Sequence, residues 1–251
     1  MSEPTPGSAR SRHPIPALPE WASRLRELGW VSELFVAGSA ATGDYRAGVS
    51  DLDLVALVDG VMDGDRLRAL TNLHREFEVA AGPGVNLGCA YVAAARLAES
   101  DAPHPTWTHG ELIHRPLSRL TRAELVWFGY SMFGRPPQHV LPAMSQDDVR
   151  GAVRAELAGY WAWAARRPWM WLDPVIADLG LTAMARARHT LATGELLTKS
   201  AAIEQAAAPD WLIAQLRSRR GGQDVVSPRW QTARIAWRDA RRTVLAHKVE
   251  G

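Results

Sequence analysis

The strongest constraint on this chain lies between residues 34 and 58. An apolar run, Leu34-Phe35-Val36-Ala37, ends at Gly38-Ser39, and a polar loop leads to Ser50-Asp51-Leu52-Asp53-Leu54 and a second apolar run, Val55 to Val58. The pattern predicts a strand, a tight Gly-Ser turn, a loop, and a second strand that carries two carboxylates. Asp51 and Asp53 stand at i and i+2 of an extended segment, so both side chains leave the same face. Two carboxylates held that close repel each other, and a divalent cation between them resolves the conflict. Mg²⁺ that also binds substrate phosphates commonly takes only one or two protein carboxylates. Gly38 lets the backbone turn sharply and approach a ligand, and Ser39 supplies a hydroxyl and N–H groups for phosphate oxygens. The bland alternative is a surface hairpin with two solvated aspartates.

Around this stretch, Glu20 to Leu28 has helical spacing at Trp21, Leu25 and Leu28, and Gly29 stops it. Ser32 to Val36 and Asp53 to Val58 read as strands. Asp63 to Ala81 reads as a helix ended by Gly82-Pro83-Gly84, and Leu87 to Val92 as a third strand. Arg96 to Pro116, with Pro103, Pro105 and Pro116, is expected to be irregular, and its His104, His109 and His114 to be loop histidines rather than metal ligands. Thr121 to Phe133 is expected to be one helix that starts from a Thr121-to-Glu124 capping box. From Ser145 onward the spacing is helical throughout: from Ser145 to about Arg166, from Asp173 or Pro174 to Thr193 with Gly194 as the stop, from Thr198 or Ser200 to Ala207, from Asp210 to Arg219, and from Ser227-Pro228 to about His247. The expected architecture is α+β: a disordered tail over 1–18, a mixed sheet with helices over 19–140, and an all-α helical bundle over 141–251.

Composition narrows the class. The 251 residues are 47% hydrophobic and 22% charged, as in a soluble globular protein. The single Cys89 excludes an internal disulfide and a cysteine-based zinc site. No apolar run reaches the length of a membrane span. The Pro-, Ser- and Arg-rich start has no apolar core of a signal peptide, so a cytoplasmic location is expected. A net charge of +2 argues little for nucleic acid. The late arginines (Arg217, Arg219, Arg220, Arg229, Arg234, Arg238, Arg241 and Arg242) form either a solvated helix face or a nucleic-acid surface, and nucleic acid is the less expected partner.

On Gly38-Ser39 followed by Asp51-Leu52-Asp53-Leu54, the chain resembles the nucleotidyltransferase superfamily. From about Leu34 to Leu216 it resembles the aminoglycoside adenylyltransferases that modify streptomycin and spectinomycin. The resemblance implies a polymerase-beta-like N-terminal domain followed by a helical domain. It implies Mg²⁺ on Asp51 and Asp53, and nucleotide phosphates on Gly38 and Ser39. His109-Gly110-Glu111-Leu112 stands where the family has the segment with its general base, which makes Glu111 the candidate base. Ala185-Arg186, Thr193-Gly194-Glu195 and Thr198-Lys199 resemble the family's triphosphate-binding stretch, so Arg186 and Lys199 are the candidate phosphate cations. The implied reaction is transfer of AMP from MgATP to a hydroxyl of a small acceptor, an aminoglycoside-type antibiotic. A cationic, hydroxylated acceptor calls for carboxylates and flat walls. Trp161, Trp163, Trp169, Trp171, Asp173 and Asp178 could supply them, or the tryptophans could pack the bundle core.

One position departs from the family. The third strand usually carries a third metal carboxylate, and here Leu87-Gly88-Cys89-Ala90-Tyr91-Val92 places Gly88 there. Water could fill the gap, Glu111 or Asp44 could swing in, or catalysis could be lost. Two further functions therefore stay open: a nucleotide-binding protein with weak or no catalysis, and a nucleotidyltransferase or regulator acting on nucleic acid or protein.

Overall fold

The structure, a computed structural model, describes residues 15–97, 99 and 102–247. The chain starts with helix α1 (Leu18–Glu27) and strand β1 (Val31–Val36), then a single helical turn, α2 (Gly38–Ala41), and β2 (Leu52–Val58). Helix α3 (Gly64–Ala81) crosses to β3 (Leu87–Ala93), and a hairpin of β4 (Pro103–Thr108) and β5 (Glu111–Pro116) follows. Helix α4 (Arg119–Phe128), strand β6 (Tyr130–Phe133) and the short α5 (Pro137–Val140) complete this part. The rest is helical: α6 (Gln146–Glu156), a π-helical turn over Leu157–Trp161, α7 (Ala162–Ala165), a 3₁₀ turn over Pro168–Leu172, α8 (Pro174–Thr193), α9 (Lys199–Glu204), α10 (Asp210–Arg220) and α11 (Arg229–Ala246).

The six strands form one mixed sheet in the order β5-β4-β3-β2-β1-β6. Only β2 and β3 run parallel, and α3 makes their crossover. Alternate strand residues serve the two faces. Leu34, Val36, Leu52 and Leu54 pack under α1 and α3 with Trp21, Leu70 and Phe77. Phe35, Val55, Leu57 and Ala90 pack on the other face with Leu125 of α4 and Leu141. Asp53 shares its strand face with Val55 and Leu57, so it points to the side that α4 covers.

Local chemistry sets most helix ends. Asp63 accepts a hydrogen bond from Arg66 N to start α3. Ser145 and Asp148 form a reciprocal capping box at α6. Asp173 caps α8, Pro174 follows it, and Gly194 stops the helix in the left-handed conformation. A separate core fills the helical part, with Trp161, Trp171, Leu181, Met184 and Leu212 among its buried side chains.

Two expectations need correction. Arg96 to Pro116 is not irregular: it contains the β4–β5 hairpin, and β4 extends the sheet through Cys89↔Trp107 and Ala90↔Thr106. His109 and Gly110, at φ 50° and 78°, make its two-residue turn. Pro103 and Pro116 pair at the open end of the hairpin, away from the Cys89↔Trp107 and Ala90↔Thr106 pairs that join β4 to β3, and Pro116 is on the edge strand β5, so the missing donors cost little. Likewise, Thr121 to Phe133 is not one helix. Ser118 caps α4, which ends at Phe128, and Tyr130–Phe133 becomes strand β6 along the free edge of β1. A Cβ at Gly129 would overlap the Leu125 carbonyl, and the aromatic residues after it suit a strand.

Residues 1–14 of the expected tail lie outside the described residues, as do 248–251 of the expected helical domain. Ile15 and Leu18, within the segment expected as tail, already belong to the core. Among the described residues no helix is long and apolar enough to cross a membrane.

Candidate active site

The strand-turn-strand unit sets the site. Ala37 follows β1 in an extended conformation, and its N–H donates to the Asp53 carbonyl at 2.8 Å. The chain then turns at Gly38, with φ 59°. A side chain there would overlap Asp53 Oδ2 as well as strain the backbone, so only glycine brings the turn this close to the carboxylate. Thr42 Oγ1 donates to the Gly38 carbonyl at 3.2 Å, and Asp44 N to the Ser39 carbonyl at 2.9 Å, which closes the turn. The loop tightens again before the acids, where Ser50 Oγ accepts from Arg46 N at 3.0 Å. Asp51 accepts from Asn86 Nδ2 at 2.7 Å.

A cavity of about 340 Å³ opens over this turn. Gly38, Ser39, Asp51 and Asp53 line one side, and Arg186, Thr198 and Lys199 come from the helical part. Glu124 and Phe128 of α4 form a further wall. The structure thus brings together six of the seven residues singled out in the sequence: Gly38, Ser39, Asp51, Asp53, Arg186 and Lys199.

Partial desolvation in the cleft, the Asp51 charge and the Glu124 charge push Asp53 up to about 6, against the pull of Arg115 and Lys199. The acid pair is therefore short of positive charge. Lys199 opens α9 behind its cap Thr198. Burial lowers its pKa, and Arg220 and Arg186 add to this, while Asp51 and Asp53 oppose it. Arg186 donates Nε to the Leu197 carbonyl and Nη2 to Glu124 Oε1, both at 2.8 Å.

Glu111 is the seventh. It begins the edge strand β5, exposed, opposite Thr108, and is not among the residues that line the cavity. Asp53 pairs with Gly88, and extending the β3–β4 register by one residue sets Thr108 opposite Gly88. Glu111 therefore lies on the same sheet face as Asp53, with two strands between them. A Cβ at Gly88 would meet Asp53 Oδ1 at 3.8 Å, an ordinary contact, so a side chain here has room beside the acid pair. Among the described residues no group of three or more His, Cys, Asp or Glu is placed to hold a metal ion.

Among the cavity residues that escaped the sequence reading as site members are Ser50, Glu124, Arg220 and, in its actual role, Asp44. Arg220 donates to Ser50 Oγ at 2.9 Å and to Asp44 Oδ2 at 3.1 Å, and both charges are buried. Ser200 N and Oγ also donate to Asp44. Asp44 is therefore held by these partners and is not free to reach the acid pair. No sequence signal marks this cluster, because its members lie far apart in the chain. The acid spacing around Glu124 likewise reads only as a helix cap.

The residues considered for an acceptor wall lie elsewhere. Trp161 and Trp171 are core residues. Trp163 and Trp169 are exposed away from the cavity. Asp173 caps α8, and Asp178 pairs with Arg219. Of the eight late arginines, Arg217, Arg219, Arg220 and Arg242 are in ion pairs within the chain, which weakens the case for a nucleic-acid surface.

Residues 18–82, which hold the Gly38-Ser39 turn and the Asp51–Asp53 pair, match the family profile described as a nucleotidyltransferase domain. Among solved structures, the chain is similar to the spectinomycin adenyltransferase AAD(9) from Enterococcus faecialis, determined with ATP and spectinomycin. The TM-score is 0.69 at 13% identity, over 89% of this chain and 98% of that one, so the likeness is one of fold. No curated protein sequence matches the chain.

Proposed function

We propose that this protein transfers AMP from MgATP to a hydroxyl of a small, cationic acceptor of the aminoglycoside type. The observation that carries the reading is the single cavity that joins Asp51 and Asp53 to Arg186 and Lys199 from the other end of the chain. Acids for a cation and cations for a triphosphate meet there across a cleft, where small-molecule sites commonly form. The spectinomycin bound by the structural neighbour supports a small hydroxylated acceptor.

The donor set fits Mg²⁺: two carboxylates, one of them raised to about 6 by desolvation and by the neighbouring acid charges, with phosphates to complete the shell. When bound on Asp51 and Asp53, the ion would neutralise phosphate charge and polarise the α-phosphate. The chain's own groups position and neutralise. Gly38 and Ser39 give the phosphates close backbone approach and a hydroxyl. Arg186 offers a fork and Lys199 a point charge to the departing pyrophosphate oxygens. Glu111, which the resemblance offered as the base, is exposed on β5 outside the cavity lining and is given no role in this reading. The cytoplasm, where ATP and Mg²⁺ are available, is the matching location.

With MgATP and spectinomycin or streptomycin, the purified protein is expected to release pyrophosphate, and Asp53→Ala to abolish it. No release across a broad acceptor panel would count against the reading. Gly88 motivates a second reading, a nucleotide-binding protein without turnover, for which calorimetry would show ATP binding that does not depend on Mg²⁺.

A further inference from the structure

Resting on the nucleotidyl-transfer reading, we propose that Glu124 is the general base of the reaction and that Arg186 holds it in reserve until a triphosphate arrives. Attack by a hydroxyl needs a group to take its proton, and position 88 beside Asp53 has no side chain. Four carboxylates line the cavity: Asp44, Asp51, Asp53 and Glu124. Asp44 is fastened by Ser200 and Arg220. Asp51 and Asp53 are the cation pair. Glu124 remains, close enough for its charge to act on Asp53.

Its setting suits the role. Glu124 lies on α4, which Ser118 caps and Leu125 anchors in the core on the Asp53 side of the sheet. The carboxylate is therefore held by a rigid element rather than a loop. Its side chain is 16% exposed, and Oε1 accepts from Arg186 Nη2. While Oε1 accepts the Arg186 hydrogen bond, that oxygen is turned to the guanidinium and not to an incoming hydroxyl. A triphosphate changes the balance. It carries more charge than one carboxylate, and its oxygens match the guanidinium fork. Arg186 exchanges Glu124 for phosphate, and the freed carboxylate faces the acceptor hydroxyl.

The proton of that hydroxyl then moves to Glu124, and the oxygen lone pair forms the new bond to the α-phosphorus. The bond from the α-phosphorus to the bridging oxygen breaks, and pyrophosphate leaves with that electron pair toward Arg186 and Lys199. Nucleotide must bind before the acceptor can react, because only the triphosphate unlocks the base.

The test compares wild type, Glu124→Gln and Glu111→Gln in two measurements. One is calorimetric titration with MgATP. The other is pyrophosphate release with spectinomycin, streptomycin or water as acceptor. Glu124→Gln is expected to bind MgATP about tenfold more tightly, since Arg186 no longer gives up a charged partner. Its kcat should fall by roughly 10²–10⁴ with acceptor KM little changed. A merely structural pair would instead weaken MgATP binding. Glu111→Gln should change either quantity by no more than about twofold, as expected for an exposed carboxylate outside the cavity. Unchanged or weaker MgATP binding by Glu124→Gln, or wild-type turnover by it, overturns this inference alone, as does loss of turnover in Glu111→Gln. A wild-type chain that binds no MgATP, or binds it without releasing pyrophosphate to any of the three acceptors, overturns the transferase reading and the base assignment together.

Discussion

At the residue scale, Gly38 shows how one missing side chain makes a site. Its φ of 59° and the overlap that any Cβ would have with Asp53 Oδ2 mean that the turn and the carboxylate occupy one compact unit. In Gly38→Ala, the left-handed backbone would cost about 1 kcal/mol. The larger effect falls on the site, because Asp53 must move aside to admit the methyl group. The expected outcome is a small drop in urea midpoint and a loss of MgATP affinity out of proportion to it, read by unfolding curves and calorimetry on the same preparation. Affinity loss no greater than the stability loss would mean that Asp53 does not face the nucleotide. Gly38, Ser39, Asp51 and Asp53 were legible in sequence because a turn and an i, i+2 pair are local patterns. Glu124 was not, since its meaning comes from Arg186, 62 positions later in the chain.

At the scale of elements, strand β3 holds the feature that separates this chain from the resemblance it carries. Gly88 pairs with Asp53 on β2, and a Cβ there would make only ordinary contacts, with Asp53 Oδ1 and the Trp107 and Leu52 carbonyls. Gly88→Glu should therefore fold, while adding a third carboxylate to an acid pair already short of positive charge. Without divalent ions, like-charge repulsion should lower the melting temperature of Gly88→Glu below that of Gly88→Ala. With Mg²⁺ and ATP the order should reverse, because the new carboxylate becomes a ligand. Thermal melts of both variants with and without MgATP give the answer, and a gap that ignores the ion would show that position 88 does not face the metal. The helices and the central strands were legible because caps and periodicity are local. The β4–β5 hairpin and β6 were not: prolines masked the first, and Gly129 separates the second from a helix whose apolar spacing runs on into it. Each became a strand because an existing sheet edge offered hydrogen bonds that the local sequence does not announce.

At the scale of the whole molecule, the cluster of Asp44, Ser50, Ser200 and Arg220 joins the loop before the acid pair to α9 and α10. We propose that it fixes the helical part against the sheet, so that Lys199, the neighbour of Ser200, stays in the cavity. The sequence could not reveal it, because the Asp44 and Arg220 charges lie 176 positions apart. Both are nearly inaccessible, at 7% and 8% side-chain exposure, so removing one leaves the other buried and unpaired. Asp44→Ala and Arg220→Met should each cost about 3–5 kcal/mol, and the double variant clearly less than their sum. Burial alone would raise the Asp44 pKa, but the Ser200 hydrogen bonds and the Arg220 charge outweigh it and hold it below 3.8. A depressed carboxylate contributes stability above its unfolded value and loses it as pH falls through the folded one. The gap between wild type and Asp44→Asn should therefore be full at pH 7 and shrink as the pH drops below 3.8. Urea unfolding of the four variants across that range tests both statements. Additive single costs would make the cluster a set of independent contacts, and a gap independent of pH would mean that the Asp44 charge does not hold the two parts together.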